Sequence, residues 1–229
     1  MPCTHAWHAC VEPSTQTLLH GQDRRMHLVI LGHPAPDSLS DALARAYASG
    51  LERGGARVEL LALRSLAFDP HLRAGFSGQQ ELEPDLRQAQ ATIERASHVA
   101  WFFPTWWAAP PALVKGFIDR TFLPGWSFAY RKRSALPEGL LAGRSARVVT
   151  TMDSPGWWYR FWHWRSVHTS FINATLRFVG FGPVRETTFF DQKTRTPEQR
   201  AAWLREMERI GERDARQFPA RSSRTLAVA

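Results

Sequence analysis

This 229-residue sequence has two cysteines, no long apolar run and no nucleotide-binding glycine motif. Both cysteines, Cys3 and Cys10, lie among the first 25 residues, so the rest of the chain has no thiol for a disulfide, a metal ligand or a nucleophile. No apolar stretch approaches the ~20 residues of a membrane-spanning helix. Neither G-x-G-x-x-G nor G-x-x-x-x-G-K-S/T follows a strand-like run, which excludes the Rossmann fingerprint and the P-loop. We predict no metal site.

The two ends of the chain differ in character from its middle. Residues 1–25 lack the basic start and apolar stretch of a signal peptide. We expect them to form a disordered extension, with a swapped arm packed on a partner subunit as the alternative. Residues 26–218 are long enough to bury one α/β core, and residues 219–229 are expected to fray as a tail. The lack of targeting signals favours a cytoplasmic location, with a peripheral position at the inner membrane face as an alternative.

The formal net charge of +8 raises the question of nucleic-acid binding. The arginines, however, are spread along helical segments beside glutamates, as in EQRAAWLREMERIGERDARQF. Such spacing is typical of a solvated helix face with ion pairs four residues apart. We therefore expect no nucleic-acid partner, although the positive charge can attract an anionic dinucleotide.

Apolar runs alternate with amphipathic segments along the middle of the chain. The runs predict strands near residues 27–32, 58–63, 98–103, 146–151 and 184–189, and the amphipathic segments predict helices near 39–53, 85–96, 111–122, 166–178 and 197–217. Alternating strands and helices imply a parallel sheet with right-handed crossovers. We predict an α/β fold: a doubly wound, five-stranded parallel sheet with helices on both faces.

The first apolar run, MHLVILG, is followed by HPAPDSLS and then by a helical pattern. Ser38 and Ser40 stand where that helix begins. Free backbone N–H groups and short hydroxyls at a helix start can hold a phosphate. This segment therefore predicts a phosphate cradle.

An aromatic-rich segment follows the third predicted strand. Val99–Phe103 forms the apolar run, Pro104 ends it, and Trp106 and Trp107 lie in the loop behind it. Open α/β sheets bind ligands at the carboxyl ends of their strands, and exposed indoles there are costly unless a flat group stacks on them. Together with the phosphate cradle, this loop suggests a flavin nucleotide. We expect one of the two indoles to pack in the core.

In the helix that follows, we expect Asp119 and Arg120 to form a surface ion pair.

Over roughly residues 26–190 the sequence resembles the flavodoxin-like NAD(P)H:quinone oxidoreductase family, which includes ancillary proteins of glutathione-gated potassium efflux systems. The resemblance rests on four segments in the family's order and spacing, namely VILGHPAPDSLS, LAFDPHL, FFPTWWAAPPALVKGFIDRTFLPGWSF and GRSARVVTTMDSP. It implies a flavodoxin-like sheet, a bound flavin, and a homodimer with its active site at the subunit boundary.

The resemblance also implies roles for individual residues. The flavin phosphate and ribityl end would be held by His33, Ser38, Leu39 and Ser40. The isoalloxazine ring would be wrapped by Pro104, Thr105, Trp106 and Trp107, and closed on its far side by Thr150, Thr151, Met152 and Asp153.

The sequence departs from the better-known quinone reductases after the two threonines. Those proteins carry a Gly-Gly step where this chain has Met152-Asp153, and a Tyr and a His that assist hydride transfer follow shortly after. Tyr159 and His163 are the candidates for these two catalytic roles here.

The segment around these candidates, residues 157–164, is WWYRFWHW. Three interpretations compete for it: an aromatic lid combined with a subunit interface, a docking surface for a partner such as a transporter, and a contact with a membrane surface, where Trp and Arg are favoured.

The function that the resemblance implies is transfer of two electrons from NADH or NADPH through a bound flavin to a quinone-like acceptor, in a ping-pong cycle. FMN is the expected flavin and FAD the alternative, and the flavin itself carries the redox chemistry. The alternative function is a flavin-binding regulatory subunit of a membrane potassium efflux system.

Overall fold

A computed structural model describes residues 26–75, 80–131 and 137–218. The predictions of a disordered extension or swapped arm over residues 1–25 and of a frayed tail over residues 219–229 lie outside the described residues.

Five parallel strands form the central sheet, as predicted. They are β1 (Met26–Leu31), β2 (Arg57–Ala62), β3 (His98–Pro104), β6 (Ser145–Thr151) and β7 (Val184–Phe189). Their order is β2-β1-β3-β6-β7, and every neighbouring pair is parallel. Because the chain turns to one side after β1 and to the other side from β3 onward, the crevice between these two strands is the topological switch point where such sheets bind ligands.

The described residues form five α-helices beside the sheet: α1 (Leu39–Arg53), α2 (Pro84–Arg95), α3 (Ala112–Thr121), α4 (Gly156–Phe161) and α5 (Pro197–Gln217). One buried cluster joins the sheet to α1 and α5, and a second joins its other face to α2, α3 and the segment that follows α4. Alternate residues of each strand enter the two clusters, since successive side chains of a strand point to opposite faces. The predicted doubly wound α/β fold is confirmed.

Helices α1 and α5 begin at side-chain caps and pack closely. The Ser38 hydroxyl accepts a hydrogen bond from the Asp41 N–H, and Thr196 and Gln199 form a reciprocal capping box at α5. Glycines let the two helices approach, because a Cβ on Gly50 would lie 2.0 Å from the Glu208 carbonyl oxygen.

The region between β6 and β7 differs from the single helix predicted over 166–178. It contains α4, a turn in which Trp164 and Arg165 have left-handed backbones, and a π-helix over His168–Arg177. Side-chain hydroxyls support the wider helix, since the Thr175 hydroxyl donates to the Ser170 carbonyl at 2.9 Å. The connection over 123–144 also carries an unpredicted antiparallel pair, β4 (Phe128–Ala129) with β5 (Glu138–Gly139).

A buried polar network lies at the amino edge of the sheet, opposite the switch-point crevice. The Tyr47 hydroxyl donates to Asp214 at 2.8 Å and lies 3.0 Å from His98 Nε2. Arg147 pairs with the same Asp214 carboxylate, so the charge of that carboxylate is compensated within the core. His27 packs on His98 with ring centroids 5.3 Å apart.

Candidate active site

The chain leaves β1 through a glycine that no other residue can replace without displacing its surroundings. The Gly32 N–H donates to the Phe102 carbonyl at 2.7 Å, and a Cβ on Gly32 would lie 2.5 Å from Val114 Cγ2. This close approach brings the following loop to the mouth of the crevice between β1 and β3.

The first turn of α1 contains backbone N–H groups that can donate hydrogen bonds to a ligand. The Ser38 hydroxyl satisfies the N–H of Asp41 at 3.2 Å. The N–H groups of Leu39 and Ser40 precede the first intrahelical bonds and therefore have no acceptor within the helix. Together with the positive end of the helix dipole they can bind an anion.

His33 stands beside this turn with one ring nitrogen engaged. His33 Nδ1 lies 3.0 Å from both the backbone nitrogen and the carbonyl oxygen of Ala35, so it accepts from the first or donates to the second according to the tautomer of the ring. The ring meets Trp106 edge-to-face, with centroids 5.5 Å apart. In the tautomer in which Nδ1 accepts, the Nε2–H of His33 is a hydrogen-bond donor, and in either tautomer the ring supports an indole.

Ser40 and Thr151 connect the helix start to the end of β6. The two hydroxyls lie 3.4 Å apart and are buried. The Thr151 carbonyl accepts the Thr105 N–H at 2.8 Å, so the same residue also ties β6 to the loop behind β3. The Thr105 hydroxyl is buried without a hydrogen-bond partner among the described residues.

The loop behind β3 closes as a tight turn that presents both indoles. Two backbone hydrogen bonds of 2.9 and 3.0 Å join Trp106 to Ala109, and Trp107 and Ala108 between them have φ angles of 50° and 59°. Trp106 is 45% exposed and Trp107 is fully exposed. The prediction that one indole packs in the core is wrong, because both indoles are exposed. Such a backbone is strained for residues with a Cβ, and strain of this kind clusters at ligand sites.

The remaining residues of the predicted flavin pocket continue from β6. The Thr150 hydroxyl lies 3.2 Å from that of Thr188 on β7, and Met152 is buried in the core. Asp153 accepts the Lys193 backbone N–H at 3.2 Å and pairs with its ammonium group at 3.1 Å. Asp153 thus shapes the loop that ends this edge of the site.

The candidate catalytic tyrosine is buried with an unsatisfied hydroxyl. Tyr159 Oη has no hydrogen-bond partner of good geometry among the residues described. Burial raises the pKa of Tyr159, and the Glu186 carboxylate raises it further, while the N–H groups of Val167 and His168 act in the opposite direction. The phenol therefore stays protonated at neutral pH and remains a potential donor.

The candidate catalytic histidine is held by its own segment. His163 Nε2 accepts the indole N–H of Trp158 at 3.0 Å. The Ser166 hydroxyl, three residues farther along, donates to the Ala108 carbonyl. This contact attaches the segment that carries Tyr159 and His163 to the turn that carries Trp106 and Trp107.

Arg64 contributes to the site and was not predicted from the sequence. Its guanidinium pairs with the buried Asp41 carboxylate at 2.7 Å and donates to the His33 carbonyl at 3.3 Å. The arginine thereby neutralises a carboxylate in the first turn of α1, which would otherwise oppose anion binding. Its position just after β2 is the signal that could have identified it, because carboxyl ends of parallel strands meet at one edge.

The assembled features fit a group that is flat at one end and anionic at the other. Exposed indoles provide a stacking surface, and the Leu39 and Ser40 N–H groups provide donors for an anion. Within the described residues no cluster of His, Cys, Asp or Glu could hold a metal ion.

Comparison with known proteins identifies the family. A family described as having a flavodoxin-like fold matches residues 25–210. The chain belongs to this family, because the match covers most of its length. The family-level resemblance predicted from the sequence is thus confirmed.

Curated relatives share roughly a quarter of their residues with this chain. A ribosyldihydronicotinamide dehydrogenase-like protein of Penicillium crustosum is 28% identical over 155 residues, which cover 57% of each protein. The chain thus spans little more than half the length of that relative. A ribosyldihydronicotinamide dehydrogenase [quinone] of Pongo abelii is 24% identical over 216 residues, which cover 80% of this chain and 90% of that protein.

Solved structures share the fold. An NAD(P)H:quinone oxidoreductase from Methanothermobacter marburgensis superposes with a TM-score of 0.71 at 21% identity, over 83% of this chain and 98% of that one. An FMN-dependent NADH-azoreductase from Bacillus anthracis, in complex with FMN, superposes with a TM-score of 0.65 at 15% identity, over 85% of this chain and 99% of that one.

Proposed function

We propose that this member of the flavodoxin-like fold family is a flavin-dependent NAD(P)H dehydrogenase that passes two electrons to quinone-like acceptors. The observation that carries the proposal is the meeting of the α1 start, the end of β6 and the Trp106–Ala109 turn at the switch point, where Ser40 and Thr151 touch. Relatives named as quinone dehydrogenases and a structural neighbour with bound FMN support it.

FMN is the proposed flavin and FAD the alternative. The N–H groups of Leu39 and Ser40, the Ser38 segment and His33 Nε2 would bind the phosphate and ribityl end. The indoles of Trp106 and Trp107 would stack on the ring, with Pro104 and Thr105 at its edge. Residues 150–153 would close the far side of the ring. When bound, the flavin supplies the reversible two-electron chemistry.

The residues of this chain would bind, orient and exclude water. One flat pocket beside Trp107 would serve NADH or NADPH and then the acceptor in turn, which is a ping-pong order. The protonated Tyr159 hydroxyl would donate a hydrogen bond where negative charge develops. His163, held by Trp158, would orient the segment or move a proton.

A homodimer with the active site at the subunit boundary is part of this proposal. A fully exposed Trp107 on a strained turn supports it, because such a surface gains stability when a ligand and a second subunit cover it. Size-exclusion chromatography with light scattering should give twice the monomer mass. A cytoplasmic location remains a proposal as well.

Steady-state kinetics tests the function. The FMN-loaded protein is assayed at several NADPH and NADH concentrations against a water-soluble quinone, and parallel double-reciprocal lines are the expected result. Intersecting lines would contradict the ping-pong order. Retained flavin without useful turnover would instead favour the regulatory subunit of a potassium efflux system.

A further inference from the structure

Exposed aromatic side chains are concentrated on one part of this molecule. Of the ten large apolar side chains that are exposed among the described residues, six lie in two short segments, at 106–107 and 157–164. The Ser166–Ala108 hydrogen bond joins these segments. The aromatic residues therefore surround the mouth of the proposed active site rather than being scattered over the surface.

The residues of α4 divide into a buried face and an exposed face. Tyr159 points into the core. Trp157, Arg160 and Phe161 recur at helical spacing and lie on the opposite side, where Trp157 is 64% exposed and Phe161 is 69% exposed. Trp164, in the left-handed turn that follows, is 80% exposed. We call these four residues the α4 aromatic surface.

Packing within the molecule does not account for this exposure. Neither Phe161 nor Trp164 makes a ring contact with another described aromatic residue. Trp164 also has a φ angle of 49°, a costly conformation for a bulky side chain. Among globular proteins a cluster of exposed aromatic residues marks an interaction site.

The charge of this region identifies the kind of partner. Residues 154–165, which include α4 and the turn after it, contain two arginines and one histidine and no Asp or Glu. Glu186 compensates Arg165 at 2.6 Å. Arg160, between Trp157 and Phe161, is exposed and has no ion-pair partner among the residues described. The partner should therefore be anionic and should accept aromatic side chains.

We propose that the α4 aromatic surface binds the interface of an anionic lipid bilayer. Indole and phenyl rings favour the level of the headgroups, and an arginine can bury its stem there while its guanidinium contacts lipid phosphate. No helix among the described residues has the length and apolarity to cross a membrane, so the contact would be interfacial. This docking would bring the proposed active site, at its subunit boundary, close to the bilayer in which apolar quinones dissolve; only that consequence rests on the proposed function.

Co-sedimentation with lipid vesicles tests the proposal. The full-length, FMN-treated protein is mixed with vesicles of phosphatidylcholine, alone or with phosphatidylglycerol. We expect binding to the anionic vesicles and clearly weaker binding to the neutral ones. The double substitution Phe161→Ser with Trp164→Ser should weaken binding roughly a hundredfold, the loss expected for two aromatic side chains.

Two further variants separate charge from general exposure. Arg160→Glu should weaken binding to anionic vesicles roughly tenfold and leave binding to neutral vesicles unchanged. The matched control is Tyr130→Ser, which removes an aromatic side chain that is equally exposed but lies next to β4. It should bind like the parent protein.

The outcomes are distinct from those of the enzyme assay. Turnover of a water-soluble quinone without vesicles reports on the proposed function alone. Absence of binding to anionic vesicles, or equal binding by the Phe161/Trp164 variant, would overturn the membrane proposal whatever the turnover. If that variant instead converts an oligomer into monomers and the parent protein ignores vesicles, the surface is a subunit interface and the proposal is wrong.

Discussion

The hydroxyls of Ser40 and Thr151, 111 residues apart in the chain, lie 3.4 Å from each other at the carboxyl edge of the sheet. Ser40 belongs to the first turn of α1, and Thr151 ends β6 and accepts the N–H of Thr105. This contact therefore joins the part of the site proposed to hold the phosphate to the part proposed to hold the ring.

Trp107 should contribute to flavin binding at a cost in stability. Trp107→Gly removes a stacking surface but also relieves a left-handed backbone that favours glycine. We expect FMN affinity to fall roughly tenfold while the free energy of unfolding, measured with urea without FMN, rises by about 1 kcal/mol. The matched control Ala108→Gly should give the same stabilisation with unchanged FMN affinity. Equal FMN affinity for the parent protein and Trp107→Gly would contradict the proposed stacking.

Arg64 should matter through the charge of Asp41. Arg64→Met leaves a buried carboxylate without its cation, next to the proposed phosphate. We expect the free energy of unfolding to fall by roughly 1–3 kcal/mol and FMN binding to weaken. Adding Asp41→Asn removes the uncompensated charge and should restore part of both losses. A double variant no better than Arg64→Met would show that the charge of Asp41 is not the cause.

Tyr159 should act as a neutral donor over the whole range from about pH 6 to pH 9. The sign follows from its raised pKa, because a phenol whose pKa lies above its usual value of 10.0 stays protonated below it. Tyr159→Phe should lower kcat roughly tenfold to a hundredfold without changing the shape of the pH profile. The melting temperature should not fall, since the hydroxyl that is removed is buried and unsatisfied. An unchanged kcat would exclude Tyr159 from the reaction.

The two buried histidines at the amino edge should make the protein acid-sensitive. Burial lowers the pKa of His27 to about 4 and places that of His98 well below 6.5. The unfolded chain therefore binds more protons than the folded one at mildly acidic pH, so stability falls as pH falls from about 6.5 toward 4. For His27 alone the loss at about pH 5 is roughly 2 kcal/mol.

Urea unfolding at about pH 7.5 and about pH 5 measures this effect. The variant His27→Leu should lose less stability between the two pH values than the parent protein does. The groups that face His27 are His98, with its ring, and Asp214, whose charge opposes the shift. Identical pH dependence in the two proteins would contradict the assignment of a neutral buried His27.

Strand periodicity predicted the sheet, its parallel direction and the edge at which the site lies. It could not predict which side chains would touch, because contacts such as Ser40–Thr151 depend on the twist of the sheet and the depth of each helix start. The indoles show the same limit. Neighbouring loop residues usually point in different directions, but in the turn that contains the left-handed Trp107 and Ala108 both tryptophans are exposed.

Arg120 shows how tertiary packing overrides a local pattern. The sequence predicts an ion pair between Arg120 and Asp119, yet adjacent helix residues do not face each other. Asp119 pairs with Lys115 four residues earlier, and the ion pair predicted for Arg120 is wrong. Arg120 is fully buried and pairs with Glu83, the residue directly before α2. No periodicity in the sequence marks such a partner.

The absorption spectrum of the purified protein, recorded after addition of FMN and desalting, tests the central claim most directly. We expect a flavin band to stay with the protein, to bleach on addition of NADH or NADPH, and to return when a quinone is added. If neither FMN nor FAD remains with the protein, the assignment of His33, Ser40 and Trp107 to a flavin site is wrong, and the proposed dehydrogenase function is wrong with it.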